Sequence, residues 1–591
     1  MLLRELPAAS RPLTAAAAAC VILNAALPLL FAVASGAAVG AVPAAIRGGL
    51  SSPAGRHLMA AVIVVGALLA LQQTVHPIQD AVTAMLARRV QGRTYRRSMA
   101  AALRPRTIAH LEAPEMLDLV AAATILTPGG PSGALRNVLN QTRRYIGAAA
   151  ALLLIAHFRW WLAAVLLAAE LIVLRRHRAV YSELVSFRAR HLPELRRSVY
   201  LRGLAMNPDA AKETRVFGLA VWVVGRFRGA WLEAMTTLWN ERRGSFRKLA
   251  IASLPILGVQ LLAVWLLGRA AVQGSIGLGA MVAYTQALLQ SLQLTMPGDD
   301  NAIEEGAAVV RKTVELERIV VTDERLRLPG AAPPPDGAPR EEVRLEDVRF
   351  RYPGLDHDVL CGLDLVIPAG RSLAIVGDNG AGKTTLVKLL ARFYDPSGGR
   401  ILVDGLDLRD LDPAAWQRRV AAVFQDFVRY PFTAADNVGF GAARNGAHAQ
   451  AARRADALSL VEGLPKGWDT VLTREFEGGV DLSGGEWQRL ALARALFAAA
   501  ATGGGLLILD EPTAHLDARA EASFIDGFLE VTRGCTTIVI SHRFSTVRRA
   551  DRIVVVDGGR VVESGSHDEL AVAGGRYATM FALQAERYAG A

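Results

Sequence analysis

Residues 377–385 read Gly377-Asp378-Asn379-Gly380-Ala381-Gly382-Lys383-Thr384-Thr385: glycines, one lysine and two hydroxyls, spaced to hold phosphate. An apolar strand, Leu373–Val376, leads into them and a helix, Thr385–Phe393, follows, which is the context of a P-loop. The glycines let backbone N–H groups curl around a β-phosphate, and the helix N-terminus adds its partial positive charge. Lys383 reaches the β and γ oxygens, and the Thr384 hydroxyl can hold Mg²⁺. A second buried strand, Leu506–Leu509, ends in Asp510-Glu511. A carboxylate at a strand end suits Asp510 to the metal, and leaves Glu511 as the general base that polarises an attacking water. After the strand Thr537–Ile540, His542 is placed to contact a γ-phosphate. A further glycine-rich stretch, DLSGGEWQRLALARA (Asp481–Ala495), sets Ser483, Gly484 and Gly485 at the start of a helix, Glu486–Phe497. Its N–H groups and hydroxyl would also suit phosphate.

These motifs lie in the second half of the 591-residue chain, too long for one ordinary domain. The overall hydrophobic content of 52% and mean hydropathy of +0.27 come mainly from residues 1–300. Spanning about 30 Å of hydrocarbon takes about 20 helical residues. Uncharged runs of that length occur at Pro12–Ile46, His57–Gln79, Leu249–Gly268 and Ala270–Gly298. Between them, Tyr145–Leu174 carries only Arg159 and Glu170 as charges, and reads as two helices joined by an outer turn at Arg159. The expectation is six spans, with Arg159 and Glu170 near the interfaces.

Ten Arg in Asp80–Arg144 and sixteen Arg and Lys in Arg175–Lys248 put those long segments, the N-terminus and the second half of the chain in the cytoplasm. That distribution also assigns the net charge of +11 to membrane orientation and leaves no nucleic-acid surface to account for it. Two polar stripes share helix faces at i, i+4, i+7: Gln72, His76 and Gln79, and Gln286, Gln290 and Gln293. They are expected to face the bundle interior or a water-filled cavity, serving either interhelical hydrogen bonds or substrate contact. Cys20, Cys361 and Cys535 fit no ligand spacing and read as small core residues. The boundaries expected are a helical membrane domain over 1–320, a linker over 321–342 that includes GAAPPPDGAP, and an α/β P-loop cassette over 343–591.

From Val343 to about Tyr588 the chain resembles the ATP-binding cassette of ABC transporters. Seven elements occur in family order: Tyr352, the P-loop, Gln425, LSGGE at Leu482–Glu486, LLILDE, AHLD at Ala514–Asp517, and His542. With six spans before a single cassette, the whole is similar to a half-size exporter. HLEAPEMLDLVAAA (His110–Ala123) and AKETRVFGLAVWVVGRF (Ala211–Phe227) look like the family's coupling segments, which dock on cassettes.

The resemblance implies ATP and Mg²⁺ as ligands. Tyr352 would stack on adenine, the P-loop through Thr385 would hold phosphate, and Thr384, Gln425 and Asp510 would surround the metal. Ser483, Gly484, Gly485, Glu486 and Asp517 would complete the site of a second cassette in trans. A homodimer is the simplest assembly, with pairing to a related half-transporter as the alternative. GAGKTT and AHLD depart from the commoner GSGKST and SALD without removing a phosphate, metal or water-positioning group. Glu486 stands where Gln is usual, and is expected to point away from the γ-phosphate. Val423–Gly441 is similar to exporters of lantibiotic and related peptides, so export of a peptide or amphipathic compound is the first reading, and drug or lipid export the alternative.

Overall fold

The structure is a computed structural model that describes residues 2–124, 130–190, 192–207, 210–296, 300–442, 446–501, 505–511, 532, 534–541 and 543–589. It divides into two compact units, Met1–Ala101 with Leu119–Arg318, and Ala102–Asp118 with Ile319–Ala591. The seventeen residues 102–118, which the sequence reading had placed in the membrane domain, group with the second unit.

Helices run in the order α1 (Leu2–Ala9), α2 (Arg11–Gly48), α3 (Pro53–Ala102), α4 (Ala109–Glu112), α5 (Pro114–Thr124) and α6 (Pro131–Phe158). They continue as α7 (Trp160–Arg190), α8 (Leu192–Met206), α9 (Ala211–Val216), α10 (Ala220–Val272), α11 (Leu278–Ser291) and α12 (Asp300–Thr322). The six expected spans fall on α2, α3, α6, α7, α10 and α11. Of these, α2, α3 and the Arg243–Val272 part of α10 are long and apolar enough to cross a membrane by length and composition alone. The turn at Arg159 is a single extended residue between α6 and α7.

Close approach of helices in the first unit depends on small residues. A Cβ added to Gly279 on α11 would lie 2.2 Å from the Gly36 carbonyl oxygen on α2, and one on Gly36 would lie 2.5 Å from Gly279 O. Backbone contact of this kind replaces the hydrophobic effect as the packing force in lipid. Polar side chains tie a second contact. Asn24 on α2 donates to Gln79 Oε1 on α3 at 2.5 Å, and Gln79 donates to Asn140 on α6 at 3.5 Å.

Glu170 corrects an expectation. It is fully buried on α7 rather than near an interface. Helical periodicity explains why: Leu162, Leu166, Ala169 and Val173 are buried too, so Glu170 falls on the inward stripe.

The second unit carries two sheets. A four-stranded antiparallel sheet has the order β2-β1-β4-β5, from β1 (Glu342–Phe350), β2 (Leu360–Pro368), β4 (Gly398–Val403) and β5 (Leu406–Asp407). The larger sheet, β10-β9-β3-β8-β7-β6, uses β3 (Ser372–Val376), β6 (Val420–Val423), β7 (Leu506–Asp510), β8 (Thr536–Ile540), β9 (Arg552–Asp557) and β10 (Arg560–Gly565). Its pairings are parallel from β9 through β6. Every residue of β7 and β8 is buried, as expected of strands covered on both faces. With β8 between them, β3 and β7 deliver their carboxyl ends to one edge, where open parallel sheets bind ligands. Helix α13 (Lys383–Leu390) starts from that edge.

Candidate functional site

The chain leaves β3 through Gly377 and enters α13 at Lys383. Gly382 has φ +100°, and a Cβ there would lie 2.7 Å from the Leu360 side chain, so both backbone angle and space require glycine. Lys383 Nζ donates to the carbonyls of Gly377 and Asp378, at 2.9 Å each, and so folds back across its own loop. Burial lowers the lysine's pKa, and the charges of Glu511 and Asp510 oppose that shift. The loop is anchored from outside by Arg576, at the start of the helix Arg576–Ala589. Its guanidinium reaches Asp378 at 2.6 Å and Asp557 at 2.5 Å. This clamp was not anticipated from the sequence, since nothing in the spacing links positions so far apart.

Asp510 closes β7 and is buried. Burial raises its pKa, as does the adjacent Glu511 charge, while Thr384 and Lys383 pull the other way. Thr384 Oγ1 lies 3.4 Å from Asp510 Oδ2. Glu511 follows with φ +50°, a left-handed angle that costs a non-glycine residue energy. Its N–H bonds Ile540 O at 2.9 Å, which holds the turn against β8. Gln425, just past β6, donates to Glu511 Oε2 at 2.8 Å.

These groups line one cavity of about 570 Å³, formed by Asn379, Gly380 and residues 382–385 of the loop together with Val359, Gln425, Asp510 and Glu511. Ala381 is buried within the loop, and Tyr352 stands beside it, its hydroxyl 3.1 Å from Thr385 Oγ1. His542 and Asp517 lie outside the described residues.

Residues 360–514 match the family model described as ABC transporter. A solved structure, a bacterial Atm1-family ABC exporter with ATP bound, superposes with a TM-score of 0.73 at 25% identity, covering 97% of this chain and 99% of that one. The fold is that of a half-size ABC exporter, with the family match in its second half. Among curated relatives, the ATP-dependent lipid A-core flippase of Chromohalobacter salexigens is 40% identical over 326 residues, 54% of each chain. That of Alkalilimnicola ehrlichii is 41% identical over 286 residues, 47% of each. The chain spans about half the length of the curated relatives it matches.

In the second unit the LSGGE segment opens the helix Gly484–Ala501, and none of Ser483 to Glu486 lines the cavity above. Glu486 turns back on the helix start. Its carboxylate accepts the Ser483 N–H at 2.7 Å, and Ser483 Oγ accepts the Glu486 N–H at 3.4 Å. This reciprocal pair is a capping box. It holds the Glu486 carboxyl below the usual carboxylate range, chiefly through the Ser483 N–H.

A cluster that sequence reading did not assemble joins α4 to the base of the nucleotide site. Glu112 accepts from Lys388 on α13 at 2.7 Å and from the Tyr394 hydroxyl. Lys388 also lies over the Tyr352 ring, 5.1 Å from its centroid, and Thr107 donates to Phe393 O at 2.7 Å. Burial alone would lower the Lys388 pKa; the hydrogen bond and charge of Glu112, together with Tyr352, more than reverse this. An acidic residue within a basic stretch was the available signal, and Lys388 lies one turn beyond Thr384 on the same helix face.

The polar stripes divide on folding. Gln79 is buried, Gln72 is half-buried, and His76 is exposed beside Asp80 at 3.8 Å. Gln286, Gln290 and Gln293 are half-buried, with Gln293 donating to Gln290 at 3.1 Å. Cys20, Cys361 and Cys535 are free and half-buried, less enclosed than the core positions expected.

Proposed function

We propose that this chain is one half of an ATP-driven exporter that moves a lipid or other amphipathic molecule across the cytoplasmic membrane, with two copies forming the working unit. The observation that carries the reading is the cavity in which Lys383, Thr384, Asp510, Glu511 and Gln425 converge while the LSGGE segment stays apart from it. Half of the phosphate-binding chemistry is therefore presented elsewhere, as two cassettes closing head to tail on two ATP molecules require. The name of the relatives, lipid A-core flippase, supports a lipid ahead of the peptide that the sequence had put first.

Lys383 leaves the Gly377 and Asp378 carbonyls for the β and γ oxygens as the nucleotide enters. The donor set fits Mg²⁺: Thr384 and Asp510 offer hard oxygens, and a buried carboxylate with a raised pKa gains from a cation beside it. Bound there with the help of Gln425, the ion would neutralise phosphate charge. Glu511 accepts the proton of the attacking water, and Gln425 hydrogen-bonds it into position. Ser483, Gly484 and Gly485 donate to the γ-phosphate of the partner's ATP, with Asp517 as a further contact in trans, and His542 contacts the γ-phosphate in its own cassette.

Glu486 modulates that pairing. Its carboxylate holds the Ser483 N–H that the γ-phosphate needs, and it is ionised at neutral pH. Glu486→Gln removes a negative charge near a triphosphate while keeping an oxygen acceptor for the cap. The KM for ATP is expected to fall about threefold, an effect of under 1 kcal/mol. An unchanged or raised KM in steady-state ATPase assays would count against the competition.

Export itself is tested in proteoliposomes carrying a fluorescent lipid in the leaflet that faces the cassettes. ATP is expected to move the label to the opposite leaflet, and a non-hydrolysable analogue is not. Hydrolysis without lipid movement, alongside ATP-dependent uptake of a peptide, would return the peptide to first place.

A further inference from the structure

Glu170 has no exposed surface, and neither of its carboxylate oxygens has a hydrogen-bond partner among the described residues. Helical rise puts it about 15 Å from the Trp160 end of α7, half the thickness of a hydrocarbon layer of about 30 Å. A bare carboxylate at that depth is costly, and such residues generally mark function.

The neighbouring element is a broken helix. α11 stops at Ser291, roughly 20 Å from its Leu278 end by the same rise, and the 3-10 turn Leu292–Leu294 follows, packed against α7. The Leu292 N–H turns to Gln290 O, so Leu288 O loses the partner that a continuing α-helix would give it. Side chains take its place. The Ser291 hydroxyl donates to Leu288 O at 3.0 Å, and Gln260 on α10 donates to it at 3.4 Å. Ser291 lies beside the Glu170 carboxylate but spends its proton on Leu288. A helix C-terminus carries partial negative charge, so the broken end repels a carboxylate instead of compensating it. Interrupted helices within the membrane are where transporters coordinate small cations.

We propose that the Glu170 carboxylate, with Ser291 and the broken end of α11 beside it, forms an intramembrane site for a monovalent cation. Its source is either an alkali ion or the ammonium head of a transported amphiphile. The orphaned carboxylate and the helix break are independent features, and both direct oxygen atoms and negative charge at one place. Only the ammonium source rests on the export reading.

The test takes the full chain in lipid nanodiscs, without nucleotide, and reads the unfolding midpoint. One arm exchanges N-methylglucamine chloride for sodium or potassium chloride at constant ionic strength. The other adds dodecyltrimethylammonium or, as its neutral control, dodecanol. Wild type is expected to unfold about 3 °C higher with the small cation, or with the ammonium amphiphile and not with dodecanol, and the responding arm names the source. Glu170→Gln is expected to erase the difference. Should that variant not fold, Ser291→Ala is expected to require a severalfold higher cation concentration for the same rise. Equal midpoints for wild type in every salt and amphiphile overturn the site, as does a response that survives Glu170→Gln. A midpoint that follows pH with no cation dependence assigns the carboxyl to a proton and also overturns it. No ATP is present, so failure of the export reading leaves this result intact.

Discussion

Glu511→Gln is expected to slow ATP hydrolysis at least about a hundredfold, a barrier increase of about 2.7 kcal/mol, while ATP binding persists. The substitution keeps the side chain's size and the left-handed turn at φ +50°, so geometry is preserved and only the proton acceptor is lost. Lys383, Thr384 and Asp510 keep their places around the cavity. Binding of a fluorescent ATP analogue should therefore change little, and nucleotide-dependent association of the cassettes should lengthen because the nucleotide that joins them is not consumed. The contact with Gln425 gives a control. Gln425→Ala removes the donor at 2.8 Å but leaves the base, and should cost less than Glu511→Gln. Near-normal turnover by Glu511→Gln would move the base role elsewhere, with His542 the next group to change.

The convergence of Lys383, Thr384, Asp510 and Glu511 was legible because these residues are local in sequence. Lys383 and Thr384 are adjacent, Asp510 and Glu511 are adjacent, and each pair follows a short buried apolar run whose length and flanking residues suit a central strand. Parallel pairing through β8 then brings both strand ends together with no further information. What sequence did not convey depends on which side of a helix faces which neighbour. Glu170 was assigned to an interface because charge in an apolar run usually ends a span. Its position on the stripe of Leu162, Leu166, Ala169 and Val173 outweighed that rule. The stripe Gln72, His76, Gln79 failed to act as one unit for a related reason: Asn24 and Asn140 offer partners to Gln79 alone. Glu486 shows the opposite case. Its location at a helix start was read correctly, but the carboxylate's preference for the Ser483 N–H is a capping-box detail visible only in the Ser-x-x-Glu spacing, which the family pattern overshadowed.

The second large effect is expected at Glu112. Tyr352, Thr385, Lys388, Tyr394 and Glu112 form a continuous chain of contacts from the edge of the nucleotide cavity to α4: hydroxyl to hydroxyl at 3.1 Å, cation over ring at 5.1 Å, carboxylate to ammonium at 2.7 Å. Lys388 lies over the Tyr352 ring, so a base stacking on that ring, as we propose, would act on the group that holds Glu112. An exposed ion pair alone is worth little in stability. Its value here is positional, because α4 is short and the Glu112 carboxylate also accepts the Tyr394 hydroxyl. Glu112→Lys puts like charges together against α13 and is expected to cut lipid movement per ATP hydrolysed by about tenfold, with hydrolysis itself reduced far less. Lys388→Glu should do the same by the reciprocal charge reversal. The double variant Glu112→Lys with Lys388→Glu restores opposite charges and should recover most of the coupling, though the Tyr394 hydroxyl then meets an ammonium where it had a carboxylate. Transport and hydrolysis measured side by side in the same proteoliposomes give the ratio for all four proteins. If the double variant is no better than the single ones, the two side chains act separately, and the path from Tyr352 to α4 does not run through their charge pair.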